Sequence, residues 1–338
     1  MASRGGQLSP RMPVFPTLPS PSPIPNPMRN TNRIGFAVLF FLMISTPAAG
    51  QDAARVRGDS LRMAGDLAGA VEAYWAGLNR SNDNGALAYQ MAGAFALHGQ
   101  FPDSAFYYLD LALAHEDTMK PLWDADFYFV VDDARWSEVE NTQLDKLSHQ
   151  VSGAFNRDYA RQLLRLRLNE WAYRYHIMLA FRQLGPQSPI PTAFARVMQE
   201  HHGANLAVLE SLIDRYGWPN LSAVGEEAAY AAGNVVNHAD LATRQKYLPM
   251  LKAVCERGEG DWSRYAHIFD RTELELGKPQ VYGTQMERNE ETGRYEPQPL
   301  LDPAHVDARR AELGMEPLAD QLERFNASMK RDFGKAND

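Results

Sequence analysis

Cysteine is nearly absent: one residue, Cys255, in 338. That excludes an intramolecular disulfide and any multi-cysteine zinc site. Cys255 lies in the apolar run LKAVCERG and reads as a small buried hydrophobe. The first 50 residues hold no acid, only Arg4, Arg11, Arg29 and Arg33. Setting those four charges aside turns the formal charge of -8 into about -12 for the remainder, and an acidic body argues against nucleic-acid or anionic-lipid binding. No apolar run reaches the ~20 residues of a membrane span. Missing too are G-x-S-x-G, H-E-x-x-H, a P-loop and a dinucleotide fingerprint, so no cofactor or metal is indicated.

What is present begins with an address. Ile34–Ile44 (IGFAVLFFLMI) follows Arg29 and Arg33 and precedes STPAAG, the three-part pattern of a secretory signal. Cleavage is expected after Gly50, which places the protein in the periplasm or outside the cell with no membrane span left. Residues 10–27 carry eight prolines, foreign to an export signal, so Met28 is the expected true start.

The body is expected to be mainly α. Gly65 and Gly99 each end a helix and stand 34 apart. Leu67, Ala70 and Tyr74 follow the first, and Phe101, Ala105 and Leu109 the second. Tyr89, Gly93, Ala105 and Ala112 fall on the spaced positions of the second copy. This resembles the tetratricopeptide repeat, although the first copy lacks a full leading helix. The resemblance implies a groove for a protein or peptide partner; a structural cap is the other reading. The aromatic stretch Lys120–Val139, with Trp123, Phe127, Phe129 and Trp136, reads as a fastener between these hairpins and the helices C-terminal to them; a peptide-binding aromatic cleft is the sharper reading.

From Phe155 to Leu184, Leu164, Leu168, Trp171, Tyr175 and Leu179 mark one face of a long amphipathic helix. Arg157, Arg161, Arg165, Arg167, Arg174 and Arg182 read as its solvated side. A proline-rich turn precedes a helix over about Thr192–Tyr216, on which the adjacent His201 and His202 read as surface residues.

The unusual polar residues lie between Gly217 and Gln285. Trp218 sits in GWP. Gly225, Ala229 and Gly233 give a small-residue face on a central helix, where another backbone can approach. That helix ends at Asn237–His238–Ala239–Asp240. His238 has the chemistry of a general acid or base, with Asp240 to orient it; equally, Asp240 stands where the next helix needs an N-cap. Asp270–Arg271 follows on a later helix. Gln280–Gln285 reads as a short strand or turn, and with Arg294–Pro299 suggests a β-hairpin. Gln280, Tyr282 and Gln285 either line a polar pocket with His238 and Arg271 or satisfy buried backbone. Asp302–Pro303 opens a further helix with an expected N-cap.

GWP (Gly217–Pro219), HAD (His238–Asp240), DR (Asp270–Arg271), GKPQ-x-YGTQ (Gly277–Gln285) and VDARRAELG (Val306–Gly314), in this order, resemble an uncharacterised bacterial domain, domain-of-unknown-function family 6624, over about Asn205–Phe325. Glutamine commonly precedes that family's HAD, where this chain has Asn237. The resemblance supplies a domain and no reaction. The expected organisation is an extension and signal over 1–50, tetratricopeptide-like hairpins over 51–145 and connecting helices over 146–204. A helical domain with a small β-hairpin occupies 205–325, and a tail 326–338. The leading functional expectation is a binding or interaction protein with a polar pocket around His238–Gln285. The alternative is a hydrolase in which His238 and Asp240 do acid–base work and Arg271 holds an anionic substrate.

Overall fold

Small residues at the helix contacts shape the first part of the fold. In the computed structural model, which describes residues 47–78, 85–115, 118, 120–185 and 188–333, four helices follow one another: α1 (Pro47–Met63), α2 (Leu67–Leu78), α3 (Gly85–His98) and α4 (Pro102–His115). The signal-like run Ile34–Ile44, Met28 and the proline-rich segment lie outside the described residues. Gly65 and Gly99 end α1 and α3 with φ of +85° and +71°, a conformation glycine adopts without the Cβ clash. Each helix packs on the next. The first copy therefore has a leading helix after all. Its sequence hid the helix because α1 carries few large apolar residues and, of its described residues, Gly58 is the one buried, against the ring of Tyr74.

Two 3-10 turns follow, Lys120–Leu122 against the later helix Arg157–Leu184 and Ala125–Val130 against α3. Phe127 meets Tyr89 edge-on at 5.5 Å and Trp136 at 6.0 Å. Asp126 pairs with Arg62 of α1, and its carboxylate presses where Gly93 of α3 has no side chain. The segment does fasten the hairpins, with one correction. Phe129 is 55% exposed, because three residues per turn put Phe127 and Val130 on one side and Phe129 on another.

After α5 (Trp136–Gln150) come α6 (Arg157–Leu184) and α7 (Pro189–Tyr216). Asn156 caps α6 by accepting the Tyr159 N–H at 3.1 Å. Ser188 stands before Pro189 and starts α7 three residues ahead of the expected position. α6 packs against the Ala125–Val130 turn, α5, α7 and α9 (Glu226–His238), so no broad wet side remains. Arg157, Arg161, Arg165, Arg167 and Arg174 all bind partners. Arg165 makes two bonds to Glu140, at 2.5 and 2.7 Å. Arg167 lies 4.7 Å from the ring centres of Trp123 and Tyr230 and pairs with Glu227. Trp171, expected inside, is exposed.

α9 is central: it touches α6, α7, the short α8 (Leu221–Val224), α10 (Leu241–Glu256) and α11 (Trp262–Glu275). Its Ala228, Ala231, Ala232, Val235 and Val236 are wholly buried. The small-residue face does not receive a backbone, however. The side chain of Arg264 lies over Gly233, and that of Leu147 over Gly225.

The hairpin exists but begins later than expected, with β1 (Met286–Arg288) paired antiparallel to β2 (Tyr295–Pro297). Gln280–Gln285 is not a strand, because its N–H groups are already taken. Those of Val281, Tyr282 and Thr284 donate to the Asp270 carboxylate at 2.8–3.2 Å. One bridge, Gln280 to Leu300, ties this loop to the return segment. The chain closes with α12 (Val306–Glu312) and α13 (Leu318–Phe333). Asp302 does not cap by its side chain; it adopts φ 45° and its carboxylate binds His305 Nδ1 at 2.7 Å. Among the described residues no helix is long and apolar enough to cross a membrane. The architecture is mainly α with one small two-stranded sheet.

Candidate functional site

Glu170 is a carboxylate on a buried face of α6, its side chain 2% exposed. Burying a charge is unfavourable unless several partners replace water, and here they come from three helices. Arg174, one turn on, donates Nη2 at 2.7 Å and Nε at 3.1 Å to Oε1. From α7, His202 Nδ1 stands 3.0 Å from Oε1 and 3.2 Å from Oε2, and Asn205 Nδ2 donates to Oε2 at 2.9 Å. From the end of α9, His238 Nδ1 lies 3.4 Å from Oε1, an ion-pair distance without hydrogen-bond alignment. The two imidazole rings are 6.3 Å apart and nearly perpendicular.

The electrostatics follow from this arrangement. Burial pushes the Glu170 carboxyl up, but the bonds from His202, Asn205 and Arg174, with the His238 ring close by, outweigh it and hold the group far below the usual carboxylate range. His238 is pushed below the ordinary histidine value, first by burial; Glu170 opposes that and nearby Arg174 and Arg271 reinforce it. His238 is therefore neutral at neutral pH. With Nδ1 turned to the carboxylate, its Nε2 lies on the far side of the ring. No hydrogen bond among the described residues reaches that nitrogen, and the side chain is 23% exposed. His202 Nε2 and Asn237 Oδ1 are buried without a partner. An unsatisfied buried polar atom is uncommon, and with His238 Nδ1 and His201 Nε2 four lie on residues in or next to this cluster.

Residues 158–330 match the family described as "Family of unknown function (DUF6624)". The chain belongs to this family. The match begins well before Asn205, so the DUF6624 domain takes in α6 and the whole of α7, and with them Glu170 and His202. No curated protein and no solved structure matches the chain.

Within the DUF6624 domain the residues singled out from sequence divide into two groups. His238 and Arg271 belong to the Glu170 neighbourhood. Asp240 does not face His238: its Oδ1 accepts the Thr243 N–H at 2.8 Å and caps α10. The carboxylate serving His238 is Glu170, from a helix 68 positions earlier in the chain. His202, expected at the surface, is the other half of that arrangement, because α7 turns it onto α6.

Asp270, Gln280, Tyr282 and Gln285 form the second group, which holds backbone. Asp270 is wholly buried and gathers the loop. Gln280, also wholly buried, donates Nε2 to the carbonyls of Gln285 and Gln298 at 2.9 Å and accepts the Gln285 N–H at 2.9 Å. Gln285 in turn donates to the His267 carbonyl at 3.2 Å. The Tyr282 carbonyl accepts from buried Arg310 at 2.7 Å, while its ring packs on Phe269. Trp218 is core, beside Tyr247 at 6.1 Å.

Among the described residues no group of three or more His, Cys, Asp or Glu is arranged to hold a metal ion. A cavity of about 660 Å³ opens between α8, the start of α11 and the C-terminal helices, lined by Trp262, Arg310 and Gln321 among others. None of its lining residues belongs to the Glu170 cluster.

Proposed function

We propose that the Glu170–His202–His238 cluster is an acid–base site of hydrolase type, carried by an exported protein. The buried Glu170 carboxylate, with two imidazole Nδ1 atoms turned to it, carries the reading. A carboxylate behind Nδ1 orients an imidazole and stabilises the imidazolium that forms when Nε2 takes a proton. His238 suits the base role, since burial keeps it neutral at neutral pH and its ring reaches solvent.

The step is a hydrolysis. His238 Nε2 accepts a proton from water as the water oxygen bonds to the electrophilic centre. The bond to the leaving group then breaks, and the imidazolium returns the proton to the leaving oxygen. Arg271 supplies positive charge nearby for an anionic substrate. The signal-like segment before Gln51 supports a periplasmic or secreted setting, and a mature N-terminus at Gln51, read by mass spectrometry, is the expected result.

The chemical test is turnover of p-nitrophenyl phosphate, bis(p-nitrophenyl) phosphate and p-nitrophenyl acetate by the purified chain. His238→Ala should lower the rate by about 10²–10⁴-fold, and Glu170→Gln should lower it as well, with both variants folded by circular dichroism. Turnover of none of the three esters, or an unchanged rate in His238→Ala, would overturn the reading. Binding of an ester without turnover would leave a pure binding pocket.

A further inference from the structure

The cavity of about 660 Å³ between α8, the start of α11 and the C-terminal helices shares no lining residue with the Glu170 cluster, and its size is that of a small-molecule site. One wall carries an aromatic plane in a fixed place. Trp262 is the first residue of α11, and Asp261 Oδ1 pins that helix start by accepting the Ser263 N–H at 2.8 Å. The half-buried Trp262 ring meets Tyr265 at 5.5 Å, nearly perpendicular. Another wall is held by Arg310, which is wholly buried. It donates Nε to the Glu316 carbonyl and Nη1 to the Tyr282 carbonyl, both at 2.7 Å, and Nη2 to Gln321 Oε1. A site built this rigidly loses little freedom when a ligand enters.

The unused hydrogen-bonding capacity of the lining is of both kinds. The Trp262 indole N–H, the Ser263 hydroxyl and the Gln321 amide NH2 are donors with no acceptor among the described residues. The exposed Glu226 carboxylate is an acceptor with no donor among them. Both arginines of the lining are engaged, Arg310 as above and Arg324 with Glu316. A phosphate, which mainly accepts, would meet the Glu226 and Asp261 carboxylates, neither paired with a cation among the described residues. An ammonium, which only donates, would leave the three donors idle. A hydroxyl donates and accepts at once. A pyranose ring joins several hydroxyls to an apolar C–H face, and that face fits the plane of an indole.

We propose that this cavity is a carbohydrate-binding site, with a sugar ring stacked on Trp262 and its hydroxyls bonded to Glu226, Ser263 and Gln321. The site is separate from the His238 cluster and stands whether or not that cluster is catalytic.

Isothermal titration of the purified full chain with glucose, N-acetylglucosamine, maltose and chitobiose tests it, with glycerol, cadaverine and sodium phosphate as non-sugar probes at the same ionic strength. At least one sugar should bind, and more tightly than every non-sugar probe. Trp262→Ala should lower the affinity for that sugar by at least about tenfold, and Trp262→Phe by less. Glu226→Ala should lower it by about threefold or more. Trp171→Ala, which removes an exposed tryptophan outside the cavity, should bind as the parent does. If Trp262→Ala does not fold by circular dichroism, Glu226→Ala, at an exposed side chain without a partner, carries the test. Absence of binding by all four sugars, or a non-sugar probe binding as tightly as the best sugar, would overturn the inference. So would a sugar affinity unchanged in folded Trp262→Ala or in Glu226→Ala, or one lost in Trp171→Ala.

Discussion

Asp270 and Thr284 are joined twice: one carboxylate oxygen of Asp270 receives both the Thr284 N–H, at 3.0 Å, and the Thr284 hydroxyl, at 2.9 Å. With the N–H groups of Val281 and Tyr282 on the same carboxylate, this one side chain does for the loop what a neighbouring strand does for a sheet. Asp270→Asn turns an amide NH2 toward those donors. Stability should fall by about 2–4 kcal/mol, read as a lower urea midpoint at unchanged slope. A midpoint within error of the parent's would show that the loop is held by its other contacts.

Acid should weaken the fold in two stages. His238 is depressed below its unfolded value of about 6.5, so the unfolded chain takes up the proton first and stability declines as pH falls through that value. Glu170 is depressed below about 4.5; its contribution is present above that pH and is lost below it. Thermal midpoints between pH 7.5 and 3.5 should therefore drop more gently below pH 4.5 in Glu170→Gln than in the parent chain.

Asp126 acts in the opposite sense. Burial and the neighbouring Asp124 raise its carboxyl to about 7, against the pull of Arg62 and Lys120. The folded chain then binds the proton more readily than the unfolded one, and stability gains as pH falls from about 7 toward 4. Asp126→Asn removes that gain, so its thermal midpoint should decline more steeply over the same interval than the parent's.

Gly93 admits no side chain without movement. A Cβ there would lie 2.9 Å from an Asp126 carboxylate oxygen that is itself tied to Arg62. Gly93→Ala should lose about 1–3 kcal/mol to overpacking, partly offset by the ~1 kcal/mol that alanine gains over glycine in a helix. Denaturant unfolding checks the net sign, and a more stable variant would show that the carboxylate can move aside.

Asp240→Ser keeps a capping oxygen on α10 and leaves Glu170 untouched. Ester turnover should match the parent's. A fall in turnover comparable to that of Glu170→Gln would mean that Asp240 serves His238.

The helices were legible because their signals are local. Asn156 before α6, Pro189 at the start of α7, Asp240 before α10 and Gly277 after α11 each mark a boundary within a few residues of it. The site was half legible. His238 and Arg271 stood out as polar residues among apolar neighbours, but their carboxylate did not. Glu170 reads as an ordinary helical pair with Arg174, four residues on, and only α7 and α9 folding across α6 make it a centre. One signal was available: Leu163, Leu166 and Glu170 are spaced by three and four residues, and a charge on such a buried face needs partners. His202 looked like surface because its neighbour His201 points elsewhere, against Tyr173 at 4.2 Å. The hairpin was placed too early because a side chain, Asp270, had taken the bonds that alternation alone assigns to a strand.

The segment Lys120–Val130 rests on α3 and reaches Arg62 of α1, the leading helices of the two repeat-like hairpins. A peptide offered to that face meets a competitor already in place and covalently tethered. For a short tether the effective concentration of such a competitor is on the order of millimolar. A free peptide at micromolar concentration would compete poorly there unless its intrinsic affinity were far higher. The segment thus fills that face of the hairpins and, through its contact with α6, ties the first four helices to the DUF6624 domain.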